Sequence, residues 1–128
     1  MANKLIECVP NYSEGRRPEV IEALVAPFQG RRGCYLFDYR ADEGHNRLVV
    51  SLVGEPEPIQ DALIEAAKVA LRHIDMNTHT GGHPRIGAVD VTPFVPLRNI
   101  AMEECVALAR AFGQRYWEET GIPVYFYE

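Results

Sequence analysis

Two imidazoles, a guanidinium and two carboxylates fall within sixteen residues: Asp75, His79, His83, Arg85 and Asp90, set around the pair Gly81-Gly82. Imidazole has an unperturbed pKa of about 6.5 and exchanges protons at neutral pH. His83 stands between two glycines and Pro84. Glycine accepts backbone angles other residues avoid, and a proline biases the residue before it away from the helical region. The histidine is therefore expected on a bent, non-helical turn. Two readings of it stay open, a general acid–base and a surface loop histidine. His79 and His83 also have the four-residue spacing that serves zinc on a helix. Gly81, Gly82 and Pro84 argue against a helix between them, and no cysteine lies near, so no metal site is expected.

Other candidates are more dispersed. Arg47 and Arg85 can each grip a carboxylate with a two-pronged guanidinium, or stand as solvated surface residues. The run Asn11-Tyr12-Ser13-Glu14-Gly15 precedes a helical pattern. Backbone N–H groups at a helix start attract anions, and Asn11 or Ser13 adds donors; helix capping is the competing reading. Cys8, Cys34 and Cys105 sit in apolar segments without metal-type spacing, which reads as buried thiols in a reducing compartment.

These side chains need a scaffold, and the hydrophobic periods supply one. Leu5 to Val9 is a short apolar run stopped by Pro10, which suits a strand. Pro18 suits a first helical turn, and Val20, Ile21, Leu24, Val25 and Phe28 follow at helical spacing until Pro27 and Gly30 end the pattern. Cys34–Phe37 and Leu48–Val53 read as strands separated by a polar loop, Asp38 to Asn46. That connection is too short for a crossover and predicts an antiparallel hairpin. Pro56 and Pro58 open a helix whose apolar face is Ile59, Leu63, Ala66, Ala70 and Ile74. After the histidine segment, Ala88 to Val95 alternates as a strand, with Pro93 arguing for an edge or a bulge. Met102, Cys105, Val106, Ala109, Phe112 and Tyr116 mark a further helix, stopped by Gly121 and Pro123. Val124 to Tyr127 reads as a last strand.

The order β-α-β-β-α-β-α-β predicts an α+β fold. Its first six elements match the split βαβ plan of ferredoxin-like folds, with an added helix and C-terminal strand. The sheet is expected to be mostly antiparallel with helices on one face. The 128 residues allow a single domain spanning 1–128. A domain of this size buries roughly two-thirds of its unfolded surface and needs no disulfide or metal for stability. The formal net charge of −5 argues against non-specific nucleic-acid binding. The absence of a leader-like or membrane-spanning apolar run points to the cytoplasm. A strand at the C-terminus calls for a partner, either in a homodimer or in a longer chain.

The residues also resemble a known family. Leu5-Ile6-Glu7-Cys8-Val9-Pro10-Asn11-Tyr12-Ser13-Glu14-Gly15 is similar to the opening of the glutamate formimidoyltransferases (formiminotransferases). So are Asn46-Arg47, Val53-Gly54, Ile74-Asp75-Met76, the run from His83-Pro84-Arg85 through Gly87-Ala88, Asp90-Val91 and Pro93-Phe94, and Ala111-Phe112-Gly113-Gln114-Arg115. The likeness spans the whole chain in order.

It implies transfer of a formimino group from N-formimino-L-glutamate to tetrahydrofolate, the co-substrate, in histidine degradation. It further implies a catalytic histidine at His83, and substrate-facing residues at Asn11, Ser13, Glu14, Asn46, Arg47, His79 and Arg85. The full transferase of this family has two similar subdomains with the substrates bound between them, so the resemblance covers the N-terminal subdomain alone. The resemblance also implies a carboxylate about where Arg40 stands, present in mammalian members, to support the histidine. Arg40 can neither accept a proton nor orient an imidazolium, which leaves Asp38 or Asp42 to substitute. The alternative function is a non-catalytic folate- or amino-acid-binding or interaction module that retains the fold.

Overall fold

A computed structural model describes residues 3–74, 89–91 and 94–121. The histidine segment, with His79, His83 and Arg85, and the C-terminal strand expected at Val124–Tyr127 lie outside them.

The first apolar run is one strand with a break at Val9. It gives β1 (Leu5–Cys8) and β2 (Pro10–Tyr12). α1 (Pro18–Val25) follows and tightens into a 3₁₀ turn at Ala26–Phe28. β3 (Cys34–Asp42) and β4 (Arg47–Gly54) form a hairpin, and α2 (Pro56–His73) crosses back. β5 (Val89–Val91), β6 (Val95–Arg98) and α3 (Met102–Thr120) complete the described chain.

β4 is the centre of the sheet. It pairs with β3 along one edge, and with β2 and β1 along the other. β5 and β6 add to the far sides of β2 and β1. All these pairings are antiparallel. Taking β1/β2 and β5/β6 as two broken strands, the order across the sheet is fourth, first, third, second. That is the ferredoxin-like arrangement expected from the element order.

Burial alternates with the period of the pleat. Ile6, Cys8, Pro10, Tyr12, Leu48, Val50 and Leu52 are buried, while Leu5, Glu7, Asn11, Arg47, Val49, Ser51 and Val53 are only partly covered. The helices supply Val20, Leu24, Ile59, Leu63, Ala66 and Ala70 to the same core as the buried strand residues. The helices therefore cover one face and leave the other open. α3 buries Cys105, Phe112 and Tyr116 in the core and is bridged to α2 by two ion pairs: Arg115 Nη1 lies 2.5 Å from Asp61 Oδ1, and Lys68 Nζ 2.7 Å from Glu119 Oε1. Phe94 meets Phe112 edge-on beneath it.

Three local expectations are corrected. Asp38–Asp42 is strand, not loop, so the connection shrinks to residues 43–46. Its polar side chains project from an edge strand whose inward backbone groups pair with β4, and composition alone does not show that pairing. A bulge between Leu36 and Asp38 shifts the register and leaves Phe37 66% exposed. Pro10 does not end the first strand but begins its second half. The strand expected over 88–95 divides into β5 and β6, the second running on to Arg98.

Candidate functional site

One end of the sheet collects the chemistry. The β3–β4 turn, the loop after β2, the start of α1, the end of α2 and the start of β5 all meet there. The residues that hold them together are largely those singled out in the sequence.

Gly15 lies against the hairpin. A Cβ on it would come within 2.6 Å of Arg47 N and 2.7 Å of Arg47 O. Only glycine permits this approach. Its N–H donates to Asn46 Oδ1 at 2.8 Å. Asn46 is 8% exposed and has a left-handed backbone, φ 50°, which asparagine tolerates better than most residues. Arg16 Nε donates to Glu43 O across the same gap, at 2.8 Å. Asn46 is thus a strut between loop and turn.

Glu14 is 3% exposed, and its carboxylate turns inward. It accepts from the backbone N–H groups of Arg16 (3.0 Å) and Arg17 (2.9 Å) and from Arg17 Nε (2.7 Å). Burial pushes the carboxyl upward. The N–H groups of Arg17 and Arg16 and the Arg17 guanidinium outweigh that and hold it below its ordinary value of 4.5. A carboxyl depressed on folding contributes stability above its unfolded value, and that contribution is lost as pH falls through the folded value. Glu14→Gln is therefore expected to flatten the acid limb of stability below pH 4.5. Denaturant titrations of both proteins across that range check it; parallel limbs would refute the assignment.

Arg47 opens β4 opposite Asp42. Among the described residues its buried Nε has no hydrogen-bond partner, and neither does the Tyr12 hydroxyl. A buried guanidinium N–H left unsatisfied is costly, and an anionic ligand is one way to satisfy it. Asn11 Nδ2 donates to Val9 O at 3.2 Å, and Ser13 is 4% exposed.

The two carboxylates that stood as substitutes at Arg40 are both engaged. Asp38 Oδ2 is 3.1 Å from Arg40 Nε. Asp42 accepts from His45 N at 3.1 Å and lies 2.7 Å from its Nδ1. The His45 side-chain hydrogen bond, its backbone hydrogen bond and its charge hold the Asp42 carboxyl below the usual range. Sequence reading missed His45; only its spacing of three from Asp42 across a tight turn hinted at the pair. Register puts Arg40, Val49, Asn11 and Asp90 at paired positions across the sheet.

Both described ends of the histidine segment reach this place. Arg17 Nη2 donates to His73 O at 2.6 Å, at the end of α2. Val89, the first residue of β5, pairs with Tyr12. The thiols take no part: Cys8, Cys34 and Cys105 are buried, and burial pushes Cys8 up to about 12. Among the described residues no cluster of histidine, cysteine and carboxylate is suited to a metal ion.

Fold and site together define an α+β domain of ferredoxin-like topology with Glu14, Arg17, Asn46 and Arg47 gathered at one end. Residues 5–128 match the family described as "Formiminotransferase domain, N-terminal subdomain". The chain is 53% identical to the formimidoyltransferase-cyclodeaminase of Gallus gallus over 124 residues, which is 97% of this chain and 23% of that protein. It is 46% identical to the glutamate formimidoyltransferase of Streptococcus pyogenes serotype M1 over 125 residues, 98% of this chain and 42% of that one. Against the glutamate formimidoyltransferase of Thermoplasma acidophilum identity is 45% over 123 residues, 96% of this chain and 41% of the relative. The chain therefore belongs to the formiminotransferase N-terminal subdomain family, and it spans less than half the length of these relatives.

Proposed function

We propose that this domain is the histidine-bearing part of a glutamate formimidoyltransferase. It would move a formimino group from N-formimino-L-glutamate to tetrahydrofolate, in histidine degradation in the cytoplasm. N5 of tetrahydrofolate attacks the formimino carbon and loses a proton; the glutamate nitrogen departs and gains one. In this reading His83 takes the first proton and returns the second. Arg47, Arg85 and His79 face the substrates, with Asn11 and Ser13 beside them, while Glu14 and Asn46 hold the loop.

The observation that carries this reading is the convergence at one end of the sheet. α2 ends at His73 beside Arg17, and β5 begins at Val89 opposite Tyr12. Arg47, whose buried Nε has no partner among the described residues, opens β4, the strand that Tyr12 also pairs with. Gripping a carboxylate is what such a guanidinium does well, and two of the relatives are named glutamate formimidoyltransferases.

A second subdomain completes the enzyme in this proposal, supplied by a longer chain or, failing that, by a homodimer. The open sheet face supports it. Tyr35, Val53, Glu7 and Val95 form one row there, with Tyr35 62% and Val95 43% exposed. Exposed apolar side chains such as Tyr35 and Val95 on one sheet face suit a surface that something covers.

The test is a spectrophotometric assay for 5-formiminotetrahydrofolate, run with and without a second-subdomain partner. Product formation by the pair supports the proposal. Binding of both substrates without product would favour the binding-module alternative. Arg85→Ala in the active pair is expected to raise KM for formiminoglutamate about tenfold or more, through loss of a charge-assisted contact. Unchanged kinetics would remove Arg85 from the substrate's carboxylates.

A further inference from the structure

We propose that Glu14 and Arg17 act as a pair of positioning residues that set the point from which the histidine segment departs. The proposal rests on the reading of His83 given above and deepens it.

Arg17 was not among the residues the sequence singled out, and its side chain is half exposed. Its guanidinium is nonetheless committed at two places far apart in the chain. Nε and Nη2 meet Glu14 Oε1 at 2.7 and 2.6 Å. Nη2 also donates to His73 O at 2.6 Å. That carbonyl belongs to the last turn of α2, where backbone acceptors lack partners within the helix and the dipole is negative. A cation there is favourable, and a guanidinium satisfies an orphan acceptor as well.

The carboxylate makes the arrangement stiff. A lone arginine reaching a helix end from solvent would sample many rotamers and hold little. Glu14 is buried, with Oε2 fixed by two backbone N–H groups and Oε1 left for the guanidinium. It has little freedom, so Arg17 has little. Arg17 O in turn accepts from Val20 and Ile21 and starts α1. The start of one helix and the end of the other are thereby clamped together beside the Gly15–Asn46 strut. His73 precedes Asp75 by two residues and His83 by ten. In this proposal the clamp acts on His83 by fixing where the chain leaves α2. Misplacement by about 1 Å at a distance can cost an enzyme about 100-fold, so a clamp at the departure point is worth having.

The test reads histidine ring resonances in the 128-residue chain without any substrate, so its outcome does not depend on the transferase reading. Arg17→Met removes both bonds and keeps the aliphatic stem. The expected result is movement of the His73, His79 and His83 ring signals, while His45, held by Asp42, stays in place. Arg17→Lys, which keeps a donor for the carbonyl, is expected to restore most of the change. Should Arg17→Met fail to fold, Glu14→Gln is read the same way, since it loosens Arg17 without removing it. In the assembled enzyme the same variants are expected to lower kcat several-fold with KM little changed. The proposal is overturned if the His83 signals stay put in a folded variant while His73 moves. It is equally overturned if Arg17→Lys is as disturbed as Arg17→Met.

Discussion

His83→Ala in the assembled transferase is expected to lower kcat by about 100- to 10,000-fold, the range associated with loss of a positioned acid–base group. Attack by N5 leaves a positive charge on the nucleophile that must be discharged, and the glutamate amine is a poor leaving group until it is protonated. One imidazole that accepts and then donates serves both needs without net change. KM is expected to move little, because the group acts on the transition state rather than on ground-state binding. A His83→Gln variant separates shape from chemistry: its amide fills similar space and cannot shuttle a proton, so it should fall as far as alanine. Single-turnover measurement of formimino transfer decides the matter. A variant that turns over at the parent rate would take the proton transfer away from His83. Asp42 and Asp38 offer a further distinction. Each already has a cationic or imidazole neighbour on β3 or its turn, so a role for either beside His83 would compete with that pairing.

The topology was legible because the hydrophobic code was clean. β4 alternates along its whole length, and α2 carries its apolar stripe from Ile59 to Ala70. Those two elements alone specify a sheet with one covered face. What could not be read was pairing. Asp38 to Asp42 has the composition of a loop, yet the β4 edge offers it a ladder, and a buried strand's unpaired N–H and C=O groups demand such a partner. The bulge at Phe37 is equally invisible, because it is a property of two strands together. The candidate site divides the same way. Asn11, Ser13, Glu14, Asn46 and Arg47 were singled out in two separate stretches of sequence, and the fold brings their backbones to one end of the sheet. The individual duties were beyond reach of spacing. Glu14 faces inward to hold Arg17, and Arg17, which nothing in the sequence marked, reaches the last carbonyl of α2, 56 residues away. Long-range partners of this kind are fixed by tertiary packing, and a local motif carries no trace of them.

Gly15→Ala is the structural counterpart of the histidine experiment and is expected to cost about 3 kcal/mol of unfolding free energy, the upper range for overpacking. The added methyl would meet three backbone atoms, Asp42 O, Arg47 N and Arg47 O, all under 3.0 Å. Flexible side chains can retreat from a methyl; backbone in a paired strand cannot. Either the loop lifts from the hairpin or the hairpin opens. Both break the bond from Gly15 N to Asn46 Oδ1 and expose a buried amide. Gly44, in the same turn, provides the control, because a Cβ there meets nothing closer than Asp42 Oδ1 at 3.4 Å. Gly44→Ala should therefore change stability by no more than about 0.5 kcal/mol. Urea titrations of the two variants make the comparison. A loop that merely covered the turn would tolerate either substitution; one that must touch its backbone tolerates only the second. The same lift would carry Glu14 and Arg17 away from the end of α2, so Gly15→Ala is also expected to disturb the His73 ring signal although residue 15 makes no contact with it. If Gly15→Ala is as stable as Gly44→Ala, the close seating of the loop on Arg47 is wrong, and with it the basis for treating this end of the sheet as one rigid site.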